Sequence, residues 1–178
     1  MKNVLIISTS FRKGGNSESL AEEFARGAQE SGNKVEKVYL RDKNIGFCKG
    51  CLACVNTNRC VIKDDAAEIV EKMLAADVIV FSTPIYYYEM SGQMKTLLDR
   101  GNPMYSADYA FRDIYLLTSA AEDEENVPKR AVSGLEGWIE CFPKARLAGT
   151  VFAGGVTAVG EIKDRPSLKL AYDMGKTV

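Results

Sequence analysis

V-L-I-I-S-T-S-F-R-K-G-G-N-S, from Val4 to Ser17, is the stretch on which the fold turns. Four apolar residues in succession, Val4 to Ile7, read as a strand buried on both faces, as in a parallel sheet. Small and polar residues follow, with paired glycines Gly14 and Gly15, and an amphipathic run opens at Asn16 or Ser17. A loop between a first strand and a first helix can surround an anion. Backbone N–H groups at the helix N-terminus point at it, and the hydroxyls of Thr9, Ser10 and Ser17 can donate as well. Arg12 and Lys13 add positive charge. The competing reading is an ordinary turn closed by an N-cap serine, and the rest of the chain decides between them.

Working outward, the first helix is expected over Ser17 to Ser31, where Leu20, Phe24 and Ala28 repeat at i, i+4, i+8 and Gly32 suits the position just past the end. Lys34 to Leu40 reads as a second strand whose mixed polarity suits a sheet edge. Arg41 to Lys63 is irregular and rich in cysteine. Asp64 or Asp65 caps a helix carrying Ile69, Val70, Met73 and Leu74. Val78 to Phe81 is a third strand, broken by Ser82-Thr83-Pro84, and Ser91 caps a helix with Met94, Leu97 and Leu98. Gly101 to Arg112 is a long loop. Its Met104, Tyr105, Tyr109 and Phe111 are too many apolar side chains to leave in water, which predicts a homodimer or homotetramer. Ile114 to Thr118, a helix over Lys129 to Phe142, a strand over Leu147 to Phe152 and a helix from Pro166 to Gly175 complete the series, with an acidic loop at Ala120 to Pro128.

Strands alternating with helices five times indicate an α/β, doubly wound parallel sheet. With 178 residues and no linker or repeat, residues 1–178 are expected to form one domain, with a cysteine-rich loop at 46–62. A net charge of −1 gives no reason to expect nucleic acid or an anionic membrane as partner. No apolar run approaches spanning length and no signal peptide precedes the first strand, so a cytoplasmic location with reduced thiols is expected. The chain contains no histidine. That removes Ser-His-Asp and Cys-His catalysis and any His-ligated zinc or iron.

Among phosphate ligands, the first loop lacks the G-x-G-x-x-G of dinucleotide folds and the G-x-x-x-x-G-K-[ST] of P-loops, and it has no nucleophilic cysteine. A monophosphate such as that of FMN fits best. Thr9 to Ser17 resembles the G-S-P-R-x-x-G-N-[ST] phosphate loop of the NADPH-dependent FMN reductase family. Thr9 and Phe11 stand where the family has Gly and Pro. Ser82 to Arg100, S-T-P-I-Y-Y-Y-E-M-S-G-Q-M-K-T-L-L-D-R, resembles the family's second signature, and G-G-V-T-A-V-G-E-I near the end resembles its C-terminal pattern. The resemblance implies a flavodoxin-like fold, five parallel strands in the order 2-1-3-4-5 with helices on both faces. It also implies Ser10, Arg12, Asn16 and Ser17 around the FMN phosphate. Pro84, Ile85, Tyr86 and Tyr87 would line the ribityl chain and isoalloxazine, and Ser119, Ala120 and Ala121 the other edge of the ring. The competing reading is that Tyr86, Tyr87 and Tyr88 pack a loop or a subunit interface, and for Tyr88 it stands level with flavin contact.

Cys48-x2-Cys51-x2-Cys54-x5-Cys60 is the second informative pattern. Overlapping pairs that share a central cysteine suit ferredoxin-type ligation of a 4Fe–4S cluster better than zinc, and Gly46 and Gly50 allow a tight wrap. The spacing resembles the compact motif of the iron–sulfur flavoproteins, a branch of the same family. Redox-active thiols and inert thiols are the alternatives. Cys141, in a predicted helix, is expected to be a buried small hydrophobe, and Glu122 to Glu125 a solvated loop.

The reading is an FMN-dependent oxidoreductase of the iron–sulfur flavoprotein type. It would pass electrons between NAD(P)H or a ferredoxin-like donor and a small-molecule or protein acceptor, with no essential acid–base side chain. A cluster-free NAD(P)H-dependent FMN or quinone reductase is the alternative within the class. A non-enzymatic flavin or thiol redox sensor is the alternative outside it.

Overall fold

A computed structural model describes residues 1–178. The order of elements is β1 (Asn3–Ser8), α1 (Asn16–Glu30), β2 (Lys34–Tyr39), α2 (Cys54–Thr57), α3 (Ala66–Ala75), β3 (Val78–Tyr86), β4 (Glu89–Met90), α4 (Gly92–Arg100), β5 (Asp113–Ser119), α5 (Lys129–Ile139), β6 (Arg146–Ala153) and α6 (Pro166–Lys176). Five strands run parallel in the order β2-β1-β3-β5-β6, and the two-residue β4 pairs antiparallel with the end of β3. Counting the parallel strands alone, this is the 2-1-3-4-5 order of a flavodoxin-like fold.

The double burial of Val4 to Ile7 is literal. Leu5 and Ile7 face one layer, with Ile79, Phe81, Ile114 and Leu116 of the neighbouring strands, against Ile69, Met73, Met94, Leu97 and Leu135 of α3, α4 and α5. Val4 and Ile6 face the other, with Val80 and Leu117, against Leu20 and Phe24 of α1 and Ala171 of α6. The period of two along a strand delivers alternate residues to two separate cores. On the second face α1 and α6 approach so closely that a Cβ on Gly27 would overlap the Tyr172 carbonyl, and one on Gly175 the Phe24 carbonyl. On the first face Trp138 of α5 meets Phe81 edge-on at 6.0 Å and Phe142 at 4.6 Å, in a cluster that includes Phe111 and Tyr109.

Three expectations need correction. β3 does not stop at Phe81 but continues through Ser82-Thr83-Pro84 to Tyr86, because Ser82, Thr83 and Pro84 still pair with Leu117, Thr118 and Ser119. The segment after Gly101 forms a 3-10 turn at Asn102–Ser106, and Met104, Tyr109 and Phe111 are buried in this chain's own core, leaving Tyr105 exposed. Those side chains therefore give no support to self-association. Cys141 lies just past α5 and is exposed, so it is not a core residue. β2, bonded to β1 alone, is the edge its polarity predicts.

Candidate functional site

β1 and β3 are neighbours while the chain between them visits β2, so the order of strands reverses there and the loops leaving their carboxyl ends diverge around a cleft. The cleft holds about 170 Å³. The loop after β1 lines it with Ser10, Arg12, Gly15, Asn16 and Ser17; the end of β3 supplies Pro84, Ile85 and Tyr86. Ser119, Ala120 and Ala121 come from the exit of β5, and Val156 and Thr157 from the exit of β6. Every residue assigned to the cofactor from sequence is thus in one place except Tyr87, which stands 98% exposed beside it. Gly15, Val156 and Thr157 were missed. The G-G-V-T run at Gly154 to Thr157 was the available signal, because it follows the last strand on the same edge of the sheet.

The β1 loop is built to present backbone. Its turn needs Gly14 at φ +67°, a conformation an L side chain resists. The Gly14 N–H donates to the Glu18 carboxylate at 3.2 Å, and Arg41 grips that carboxylate at 2.5 Å. The Arg12 N–H donates to Ser10 Oγ at 3.1 Å. A Cβ on Gly15 would lie 3.2 Å from both the Arg12 carbonyl and Ser10 Oγ, a tight approach that the loop would have to ease by a few tenths of an ångström. No side chain caps α1, which leaves its first N–H groups for another acceptor. Arg12 is the one charged residue of the lining. An uncapped helix start, two serines and one cation are a donor set that fits a phosphate monoester.

Arg12 and Asn16 have a second duty. Arg12 donates to the Thr157 carbonyl at 2.5 Å. Asn16 donates to the Ala158 carbonyl at 3.0 Å and accepts from the Ile162 N–H at 3.2 Å. They bind the first loop to the last one. Glu161 braces that last loop by accepting from the N–H groups of Thr157 and Ala158, and these bonds hold its carboxyl below the usual glutamate range. Thr9 donates to the Ser82 carbonyl at 3.1 Å and shares a hydrogen bond with Ser91, the cap of α4, at 3.0 Å. Its hydroxyl is structural.

On the other wall, β3 turns back into β4 through Tyr87 and Tyr88, with Tyr86 opposite Glu89. Both tyrosines have positive φ, +51° and +66°. This is the signature of a two-residue hairpin normally made by Asn and Gly, and each tyrosine there carries strain of about 1 kcal/mol or more.

The cysteines do not form the expected centre. All four line one narrow crevice of about 20 Å³, but three of the sulfurs, those of Cys48, Cys54 and Cys60, are engaged by separate protein donors. Asn102 donates to Cys54 Sγ at 3.0 Å, Arg100 to Cys60 Sγ at 3.3 Å, and the Gly50 N–H to Cys48 Sγ at 3.5 Å. Cys54 is buried at the start of α2, whereas Cys48 and Cys51 are exposed. No group of three or more His, Cys, Asp or Glu side chains is arranged to hold a metal ion. The expectation that Cys48, Cys51, Cys54 and Cys60 ligate a 4Fe–4S cluster is corrected accordingly. What fixes this loop is Arg100. Its guanidinium, without solvent exposure, makes two bonds to Asp64 at 2.6 and 2.9 Å and one to the Gly46 carbonyl at 2.8 Å.

Comparison with known proteins adds the following. The NADPH-dependent FMN reductase family matches residues 2–124. The iron-sulfur flavoprotein of Methanosarcina thermophila is 29% identical over 152 residues, 85% of this chain and 80% of that protein. An iron-sulfur flavoprotein of Archaeoglobus fulgidus is 35% identical over 103 residues, 58% of this chain but 46% of that protein, so the match there spans about half the relative's length. Among solved structures, the NAD(P)H:quinone oxidoreductase from Methanothermobacter marburgensis superposes with a TM-score of 0.78 at 18% identity, covering 99% of this chain and 95% of that one. At that identity the likeness speaks for the fold.

Proposed function

The chain belongs to the NADPH-dependent FMN reductase family, and from that premise we propose that it is a cluster-free, NAD(P)H-dependent reductase that holds FMN in the cleft at the carboxyl edge of the sheet. The observation that carries this is the convergence of two separate signature segments, Ser10 to Ser17 and Pro84 to Tyr86, on one cleft beside an uncapped helix start. Ser10, Ser17 and the first N–H groups of α1 would hold the phosphate, with Arg12 balancing its charge. Pro84, Ile85 and Tyr86 would line the ribityl chain and one side of the ring, and Ser119 to Ala121 its other edge. When bound, FMN supplies hydride acceptance and transfer of one or two electrons. This chain's residues bind and orient it. With no histidine in the chain, protons are expected through water or a tyrosine hydroxyl rather than a dedicated acid–base side chain.

The acceptor is expected to be a small molecule of the flavin or quinone kind, and the protein is expected to work as a homodimer or homotetramer, which light scattering at micromolar concentration measures. Support for assembly comes from Tyr87 and Tyr88, exposed on the rim of the cleft.

Two measurements test the reading. Ser17→Ala should weaken FMN in a fluorescence-quench titration by the loss of a hydrogen bond to a charged group, about 1.5–3 kcal/mol or a tenfold or greater rise in Kd. Unchanged affinity would place the phosphate elsewhere. The FMN-loaded protein should then oxidise NADPH or NADH in the presence of free flavin or a quinone. A protein that binds FMN tightly but turns over with neither nucleotide would be a flavin-binding sensor instead.

A further inference from the structure

Next to the cleft, sharing only Tyr86 with it, lies a larger hollow of about 480 Å³, within the range of roughly 300–1,000 Å³ typical of small-molecule sites. The β1 loop faces both: Ser10 and Arg12 line the cleft, while Phe11 between them lines the hollow. Phe47 and Tyr86 complete an aromatic wall, and all three rings are at least half exposed, at 56%, 80% and 52%. Leu40 and Ile45, both packed on the core, form an apolar floor. Three exposed rings around an apolar floor gather water-averse surface in one place.

The polar groups of the hollow are few, and one dominates. Lys43 is the only ionised side chain in the lining, with Gln93 at the start of α4 its other long polar side chain. Lys43 reaches Glu68 at 3.6 Å, but Glu68 is held more closely by Lys72 at 2.9 Å. Lys43 can therefore turn to a ligand without leaving that carboxylate unpaired. No carboxylate lines the hollow to repel an anion.

We infer that this hollow is a second ligand site, separate from the flavin cleft, and that it takes a planar aromatic ring system bearing one anionic substituent. The rings of Phe11, Phe47 and Tyr86 offer faces and edges to a flat partner, and Lys43 fixes its orientation by pairing with the substituent at one end. Tyr86 is the one lining residue it has in common with the cleft, so the site does not depend on the assignment of FMN there.

The test titrates FMN-loaded protein by calorimetry with anthraquinone-2-sulfonate, and with neutral 2-(hydroxymethyl)anthraquinone as its uncharged counterpart. The expected result is one saturable site per chain, at least fivefold tighter for the sulfonate. Lys43→Gln should abolish that preference and Lys43→Arg restore it. Phe47→Ala, at an exposed position, should weaken both probes several-fold, with circular dichroism confirming that each variant is folded. Repeating the titration without FMN should give the same affinities, which separates this site from the proposed flavin site. Failure of either probe to saturate, equal affinities for the charged and neutral probes, or displacement of the sulfonate by FMN would each overturn the inference.

Discussion

Arg100 is the last residue of α4, and its side chain has no solvent exposure although it carries a full charge. Its partner Asp64 is 5% exposed. Burial alone would raise the Asp64 carboxyl. Hydrogen bonds from Arg100 and from the N–H groups of Gly46 and Ala66, with the Arg100 charge, outweigh that and hold it below its ordinary value of 3.8. A carboxyl depressed in the folded state stabilises the fold above its unfolded pKa, and that contribution fades as pH falls through the folded one. Asp64→Asn strands a buried guanidinium and should cost about 3–5 kcal/mol near neutral pH. Urea unfolding should show that deficit at pH 7 and a smaller one at pH 3; an equal deficit at both would mean that the pair's charge is not what matters. In the sequence, Arg100 is visible as the closing letter of a family signature and Asp64 as a possible helix cap. Their union, across 36 positions, leaves no trace in local spacing. The same holds for two of the cysteines, whose spacing suits a cluster while the groups that donate to Cys60 and Cys54, Arg100 and Asn102, come from a distant segment.

The hairpin joining β3 to β4 shows why one element was misjudged. Ser-Thr-Pro looks like a breaker, yet Pro84 sits at the end of the β3–β5 pairing, opposite Ser119, where a missing N–H costs little. Two tyrosines at the turn hide a motif that Asn-Gly would have announced. Tyr87 is 98% exposed with φ +51°, so Tyr87→Gly relieves strain at almost no loss of contact. The expected gain is about 1 kcal/mol, or roughly 2–4 °C in Tm for a chain of this size, read by thermal unfolding. If Tyr87 also touches the flavin, the same variant should bind FMN more weakly. A more stable protein with weaker FMN binding would identify strain kept for the sake of the site; no change in Tm would mean that the turn is unstrained.

At the scale of the molecule the sequence was most informative, since three buried apolar runs and two more polar strands, each separated from the next by an amphipathic stretch, leave little choice but a parallel sheet with two helical layers. The cleft was legible where a loop follows a strand and carries recognisable chemistry, at Ser10 to Ser17 and at Pro84. Val156 and Thr157 were legible only through the G-G-V-T run that follows the last strand, because they contribute position rather than any distinctive side chain. The two layers also differ in a way an optical experiment can use. The chain has a single tryptophan, and Trp138 is embedded in the aromatic cluster of the α3–α5 layer, where its emission reports the packing of that layer. FMN fluoresces by itself, and held in the proposed site at the loop edge of the sheet its signal would report those loops. Followed together on heating, the two colours should give superimposable curves if the molecule melts as one unit. A flavin signal that changes at lower temperature than the tryptophan would mean that the binding loops let go while the sheet beneath them is still intact.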